Sequence, residues 1–117
     1  MGDSAFGFSG MECETLTRYK LGATIFIINN NGIYSGVDEL PEEMEFAPVT
    51  SLLPKAHYER IVEAFGGRGF FVDSPGPLLG ALREALAIST PTVVNVCISP
   101  TASRKPQKHE WLTRSKL

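Results

Sequence analysis

The stretch ATIFIINNNG, residues 23–32, decides the fold class of this 117-residue chain. Its first part, Ala23–Ile28, is a short and uninterrupted run of apolar, mostly β-branched residues. Such a run is typical of a parallel strand that is covered on both faces. The run ends abruptly at Asn29-Asn30-Asn31-Gly32, which indicates a turn. Because ligands bind beyond the carboxyl ends of strands in open α/β sheets, this turn is a candidate site.

The segments on both sides of this strand alternate between helical and strand patterns. Ser9 and Glu12 have the spacing of a capping box, which predicts a helix over about Gly10–Tyr19 that stops near Gly22. Downstream, the next pattern predicts a helix with an apolar stripe formed by Tyr58, Ile61, Val62 and Phe65, followed by a strand at Gly69–Val72. A second helix is predicted to begin at Ser74-Pro75, with an apolar stripe formed by Leu78, Leu79, Leu82 and Leu86. A last strand is predicted at Thr92–Ile98. This alternation predicts an α/β fold, a three-layer α/β/α arrangement with a parallel sheet.

The remaining segments are less regular. Residues 33–56 hold five acidic residues and three prolines, which favours a surface excursion with a short helix around Glu42–Phe46. At the start, Gly2-Asp3-Ser4 has the pattern of a turn that leaves a strand, yet only Met1 precedes it. We therefore expect a sheet truncated at its N-terminal edge, with the strand before Asp3 missing. The expected organisation is a partial α/β domain over residues 1–100 and a tail over residues 101–117.

Composition and charge exclude several classes of protein. The net charge of −2 argues against general nucleic-acid binding, and no apolar run reaches the length of a membrane span. The charge is uneven, because residues 1–103 carry a balance of −6 and residues 104–117 a balance of +4. A basic tail on an acidic body indicates an anionic ligand or a solvated terminus that a receptor reads. Cys13 and Cys97 form no CxxC pair, so we expect two reduced, mostly buried thiols.

Asp3 and Asn30 form the constellation that carries chemistry. They lie 27 residues apart across a predicted helix and strand, so the chain returns to the same sheet edge between them. A carboxylate, an amide oxygen and a nearby backbone carbonyl are hard ligands that suit Mg²⁺, which takes its other ligands from phosphates and water. Ser4 and Ala5 stand in a turn whose backbone N–H groups can hold a phosphate. Gly32 lets the backbone approach a ligand closely.

These motifs resemble those of the thiamine diphosphate enzymes, whose characteristic segment opens with Gly-Asp and closes with Asn-Asn. The stretches GDSAFGFSGMECETLTRY and IINNNGIYSG resemble the group of 2-hydroxyacyl-CoA lyases and oxalyl-CoA decarboxylases. The stretch LLPKAHYERIVEAFGGRGFFV and the ending HEWLTRSKL resemble the lyases specifically. The similarity covers nearly the whole chain. It is weakest across Val37–Val49, where this chain has fewer residues than the family pattern.

The resemblance implies two cofactors, thiamine diphosphate and Mg²⁺, and a role for each matching residue. Asp3, Asn30 and the backbone carbonyl of Gly32 match the metal ligands. Ser4 and Ala5 match the diphosphate contacts, Asn30 also counts among the cofactor-binding residues, and Tyr34 matches a residue that lies against the cofactor. Ser103, Arg104 and Lys105 fall where the related decarboxylase holds coenzyme A, and solvated tail charges are the alternative interpretation.

The reaction that the resemblance implies belongs to fatty acid alpha-oxidation. A 2-hydroxyacyl-CoA is cleaved to formyl-CoA and an aldehyde one carbon shorter, with the thiazolium ring as nucleophile and electron sink. Family members activate the cofactor with a glutamate of a separate N-terminal domain. We therefore expect no catalytic residue in this chain and no activity from it alone. The alternatives are an oxalyl-CoA decarboxylase and a non-catalytic remnant.

The C-terminal tripeptide Ser115-Lys116-Leu117 matches a peroxisomal import signal, which a receptor reads as an address. Peroxisomal location is also what the family resemblance implies. The expected partners are an acyl-CoA substrate and the import receptor, and the full-length parent is expected to be a homo-oligomer. His57 and His109 have no assigned role.

Overall fold

We analysed a computed structural model that describes residues 1–34, 39 and 42–102. Within these residues the chain forms a parallel sheet of three strands in the order β1-β3-β2. The strands are β1 (Thr24–Asn29), β2 (Arg68–Val72) and β3 (Thr92–Cys97), and the helices are α1 (Asp3–Ser9), α2 (Glu12–Arg18), α3 (Glu59–Ala64) and α4 (Pro75–Ala87). A single 3₁₀ turn covers Met44–Phe46, where the sequence predicted a short helix.

Two apolar clusters cover the two faces of the sheet, so the predicted three-layer α/β/α arrangement is confirmed. On one face, Ile27 and Val93 pack against Phe6 of α1, Cys13 of α2 and Val62 of α3. On the other face, α4 covers the sheet through Ala81 and Ala85, which pack against Val72 and Val94. Side chains alternate between faces along a strand, which is why Val93 and Val94 belong to different clusters.

The N-terminal helix begins earlier than predicted. We expected one helix over Gly10–Tyr19 with Ser9 as its cap, but α1 already begins at Asp3 and α2 follows at Glu12. Ser9 caps neither helix, since its hydroxyl donates back to the carbonyl of Ala5 (3.5 Å). The driving force is the burial of Phe6, whose ring packs so closely on Gly10 that a Cβ there would lie 3.1 Å from it.

The leucine stripe predicted for α4 is half wrong. Leu79 and Leu86 are 55% and 70% exposed, whereas Leu78 packs against the core beside Ala81 and Ala85. Both sets have helical spacing, so the sequence offers two overlapping faces. The small alanines face the sheet because they let the helix backbone approach the strands closely. By contrast, the predicted stripe of α3 is confirmed, with Val62 buried and its neighbours packed around it.

The first two residues lie along the outer edge of β1. Gly2 pairs in parallel with Ile28, whose N–H donates to the carbonyl of Met1 (2.8 Å). The N-terminal ammonium group donates to the carbonyl of Phe26 (2.7 Å). These contacts place Asp3 at the carboxyl end of β1, beside the turn that follows the strand.

Candidate functional site

A cleft of about 850 Å³ opens at the carboxyl end of the sheet. Its volume is in the range typical of small-molecule sites. The cleft lies between the start of α1, the loop after β1 and the segment after β3. The structure brings together here all six residues assigned to cofactor or metal from the sequence, namely Asp3, Ser4, Ala5, Asn30, Gly32 and Tyr34. The remaining assigned residues, Ser103–Lys105 and Ser115–Leu117, lie outside the described part of the chain.

Asp3 is the buried acid at the floor of the cleft. It is only 1% exposed, and its two carboxylate oxygens accept from the N–H groups of Ser4 (3.0 Å) and Gly32 (3.3 Å). One side chain therefore ties the first turn of α1 to the loop after β1. Burial raises the pKa of Asp3, and the surrounding backbone N–H groups lower it only in part. A cation in the cleft would favour the charged form.

Ser4 and Ala5 lie in the first turn of α1 rather than in the turn before a later helix, which corrects the sequence interpretation. The first bond of the helix runs from the N–H of Phe6 to the carbonyl of Gly2 (3.0 Å). The N–H groups that precede Phe6 therefore have no carbonyl partner within the helix. The N–H of Ala5 is thus free of the helix ladder at the mouth of the cleft.

The loop after β1 holds three asparagines in three different environments. Asn29 is fully buried, and Asn30 and Asn31 are half-buried. Asn31 has a φ of 58°, a left-handed conformation that asparagine tolerates better than most residues, and Tyr34 has a φ of 60°. These two residues bend the loop so that Asn30 and Gly32 line the cleft. Tyr34 is 88% exposed at its rim.

Within the described part of the chain, one hydrogen bond holds the side chain of Asn30. Its amide nitrogen donates to the carbonyl of Tyr34 (3.1 Å). Among the described residues none donates to its amide oxygen, so this oxygen is available to a ligand. The asparagines on either side differ, because both use their amide oxygens to hold backbone N–H groups.

Sequence reasoning missed a polar cluster below this loop. Asn95 of β3 is fully buried and Glu59 of α3 is 4% exposed, and they are joined to Asn29 through hydrogen bonds. His57, which received no role, contacts Glu59 through Nδ1 (2.6 Å). One signal was visible beforehand, because Asn95 interrupts an apolar strand and a buried amide needs partners.

Tyr58 lies near enough to Asp3 to feel its charge, and it was predicted only as an apolar stripe residue. Its ring meets the edge of Phe6 at 6.1 Å between centroids. Burial raises the pKa of Tyr58, and the nearby charge of Asp3 raises it further. The phenol is therefore neutral and adds no negative charge to the cleft. Cys13 and Cys97 are both free thiols, buried and half-buried, as the sequence predicted.

Comparison with known proteins identifies the family of this chain. The family described as "Thiamine pyrophosphate enzyme, C-terminal TPP binding domain" matches residues 1–96; thiamine pyrophosphate is another name for thiamine diphosphate. The 2-hydroxyacyl-CoA lyase 1 of Homo sapiens is 48% identical over 99% of this chain and 22% of its own length. The oxalyl-CoA decarboxylase of Escherichia coli (strain K12) is 47% identical over 86% of this chain and 18% of its own.

A solved structure supports the fold. The thiamine diphosphate-dependent 4-hydroxybenzoylformate decarboxylase of Rhodococcus jostii RHA1 superposes with a TM-score of 0.68, at 20% identity, over 85% of this chain and 19% of that one. The present chain thus spans about a fifth of the length of the relatives it matches. Because the family model covers most of the sequence, this chain belongs to the thiamine diphosphate enzymes and carries their C-terminal cofactor-binding domain.

Proposed function

We propose that this chain supplies the diphosphate- and magnesium-binding half of a 2-hydroxyacyl-CoA lyase active site. The observation that carries the proposal is the cleft itself, where Asp3 and Asn30 meet at one end of the sheet. Their meeting is not a consequence of sequence proximity, since the residues are 27 positions apart. A carboxylate, a backbone carbonyl and an amide oxygen that no described residue uses together suit a hard cation.

Asp3, Asn30 and the carbonyl of Gly32 would hold Mg²⁺. The described residues contain no group of three His, Cys, Asp or Glu side chains that could hold a metal alone. This fits Mg²⁺, which binds through one or two carboxylates and completes its coordination with phosphate oxygens and water. The raised pKa of Asp3 fits as well, because a buried carboxylate with few countercharges gains most from a cation.

Ser4 and Ala5 would hold the diphosphate, and Tyr34 would cover the bound cofactor. The hydroxyl of Ser4 and the N–H of Ala5 are polar donors at the mouth of the cleft, where an anion replaces missing helix partners. When bound, thiamine diphosphate supplies a carbon nucleophile and an electron sink for breaking a carbon–carbon bond. The residues of this chain would bind and orient it, and they include none assigned to activate it.

The proposed reaction converts a 2-hydroxyacyl-CoA to formyl-CoA and an aldehyde one carbon shorter, as in fatty acid alpha-oxidation. It rests on similarity to lyases named for 2-hydroxyacyl-CoA and on the ending HEWLTRSKL. Ser103, Arg104 and Lys105 would contact coenzyme A, supported by the positive charge of the tail. The tripeptide Ser115-Lys116-Leu117 would direct the protein to the peroxisome through the import receptor. In the full-length parent we propose a homo-oligomer.

One alternative is an oxalyl-CoA decarboxylase, favoured by 47% identity to the E. coli protein of that name. An activity assay of the full-length parent with a long-chain 2-hydroxyacyl-CoA and with oxalyl-CoA distinguishes the lyase from the decarboxylase. Preference for oxalyl-CoA would overturn the lyase assignment. The isolated chain is expected to release no formyl-CoA, because it spans about a fifth of the relatives' length. A non-catalytic remnant is distinguished by failing to bind the cofactor at all.

Calorimetry tests the binding proposal directly. Thiamine diphosphate is titrated into the purified chain with Mg²⁺ and then with EDTA, and binding is expected only with Mg²⁺. In Asp3→Ala this binding should vanish. Asp73→Ala is the matched control, because Asp73 also follows a strand, β2, but does not line the cleft. Equal binding by wild type and Asp3→Ala would remove Asp3 from the site.

A further inference from the structure

Three polar side chains are buried directly beneath the loop that carries Asn30. Asn29 and Asn95 are 0% exposed and Glu59 is 4% exposed. Ile27 of β1 pairs with Asn95 of β3, so Asn29 and Asn95 lie diagonally on the same face of the sheet. The first turn of α3 brings Glu59 to the same point. Burial of such groups costs free energy unless each is hydrogen-bonded.

The hydrogen bonds form a directed chain from Glu59 to the loop. The amide nitrogen of Asn95 donates to Glu59 Oε2 (2.8 Å), and the amide nitrogen of Asn29 donates to Asn95 Oδ1 (3.2 Å). Both amides also donate to the carbonyl of Ala56, at 2.8 and 3.3 Å. The oxygen of Asn29 then accepts from the N–H of Asn31 (3.1 Å). The donors of both amides are therefore fully used.

Glu59 and the carbonyl of Ala56 together determine the direction of this chain. Glu59 Oε2 accepts from Asn95, so Asn95 turns its nitrogen toward Glu59 and its oxygen toward Asn29. Asn29 must then turn its nitrogen toward Asn95 and its oxygen up toward Asn31. His57 holds the other carboxylate oxygen through Nδ1 (2.6 Å). Removal of the carboxylate leaves the nitrogen of Asn95 with one of its two acceptors, the carbonyl of Ala56, and so weakens the restraint on both amides.

The far end of the chain holds the residue that follows Asn30. Asn31 is fixed by Asn29 from below, and its own side-chain and backbone oxygens accept from the N–H groups of Lys55 and Leu52 (both 2.9 Å). The residues on both sides of Asn30 are thus fixed by hydrogen bonds, while the amide oxygen of Asn30 accepts none from the described residues. An apolar cluster of equal volume would fill the space, but it would not select one loop geometry.

We infer that Glu59 is a positioning residue for the metal-ligand loop, acting through Asn95 and Asn29 to hold Asn30 toward the cleft. This inference rests on the proposed function, since it assigns Asn30 to Mg²⁺. Groups that orient metal ligands in this way typically contribute 10- to 100-fold to metal affinity. Glu59 does not itself touch the cleft.

Variants of Glu59 in the full chain test the inference. Glu59→Leu removes the acceptor, and the Mg²⁺-dependent affinity for thiamine diphosphate is expected to fall roughly 10- to 100-fold. Glu59→Gln can still offer an oxygen to Asn95 and is expected to retain most of the affinity. Val62→Ala, on the same helix and equally buried, is the matched control. It should lower the unfolding midpoint without changing the Mg²⁺ dependence.

Amide hydrogen exchange in the cofactor-free chain provides a second readout. In Glu59→Leu the Asn31 amide should exchange faster while that of Val94, inside β3, keeps its protection; in Val62→Ala both should change together. If wild type binds no cofactor, the proposed function fails and exchange still decides whether Glu59 orders the loop. If Glu59→Leu does not fold, Glu59→Asp withdraws the acceptor by one methylene and should show a smaller loss. Wild-type affinity and exchange in the folded variant would overturn the inference.

Discussion

The cleft and the polar cluster beneath it both use asparagine, but in different roles. In the cleft, Asn30 leaves its amide oxygen unused by the described residues. In the cluster, Asn29 and Asn95 satisfy their amide groups completely. The difference teaches that a binding residue and a structural residue can be adjacent in sequence. They are distinguished by whether their polar atoms already have partners.

The largest expected effect comes from Asn30→Ala. Mg²⁺-dependent binding of thiamine diphosphate should fall by more than the 10- to 100-fold typical of groups that only orient a ligand. Stability should hardly change, because the side chain makes one hydrogen bond to the residues that the structure describes, and that bond is exposed. Calorimetry and urea unfolding measure the two quantities. A large loss of stability with unchanged binding would reverse the roles of the two regions.

Asn29→Ala should chiefly lower the stability of the fold, whereas Asn30→Ala should chiefly lower binding, because Asn29 lies in the interior. It leaves the oxygen of Asn95 and the N–H of Asn31 without partners, which should lower the free energy of unfolding by about 2–4 kcal/mol. Asn31→Gly is the control, because glycine accepts the φ of 58° and only the bond to Lys55 is lost. Equal destabilisation by both variants would contradict the distinction between them.

The pH dependence of binding should report Asp3. Its pKa is raised chiefly by burial, so the carboxylate binds a proton at a higher pH than an exposed aspartate does. Mg²⁺ competes with that proton, and affinity should be lost as the pH falls through the raised pKa. In the metal-free protein the sign is reversed: the stability contribution of Asp3 is present below its unfolded pKa and lost as the pH rises through the folded one.

Affinity and unfolding measured across a pH series, with and without Mg²⁺, test both signs. Asp73→Asn should leave the binding profile unchanged, since Asp73 lies outside the cleft. A binding profile that stays flat to the pKa of an ordinary aspartate would show that Asp3 does not control the site.

The smallest expected effect concerns Cys97, which pairs with Asn29 across the strands. Burial raises the pKa of its thiol, and the charge of Asp73 raises it further, so at pH 8 it should react with iodoacetamide more slowly than a free cysteine. Asp73→Asn should lower that pKa and speed the reaction by about two-fold, within the small range expected for an exposed charge. Mass spectrometry separates Cys97 from fully buried Cys13, and an unchanged rate in Asp73→Asn would exclude the charge effect.

The fold was largely predictable where the apolar pattern of an element allows only one way to bury its side chains. The continuous apolar run of β1 predicts a strand covered on both faces, and the stripe around Val62 gives its helix a single face to bury. The stripe of α4 had two solutions, and packing against the sheet selected Ala81 and Ala85 over Leu79 and Leu86. The start of α1 was missed because Asp3 and Ser4 read as a turn, and burial of Phe6 was not visible locally.

The sequence by itself determined the α/β class, the family and six of the residues that line the cleft, because these depend on local pattern and motif spacing. Only the tertiary structure distinguished Asn30 from its two neighbours in their contacts, since the difference lies in partners up to 66 positions away. It alone revealed Glu59 and His57 under the loop. Hydrogen-bond satisfaction is a property of groups that folding brings together, and no local pattern encodes it.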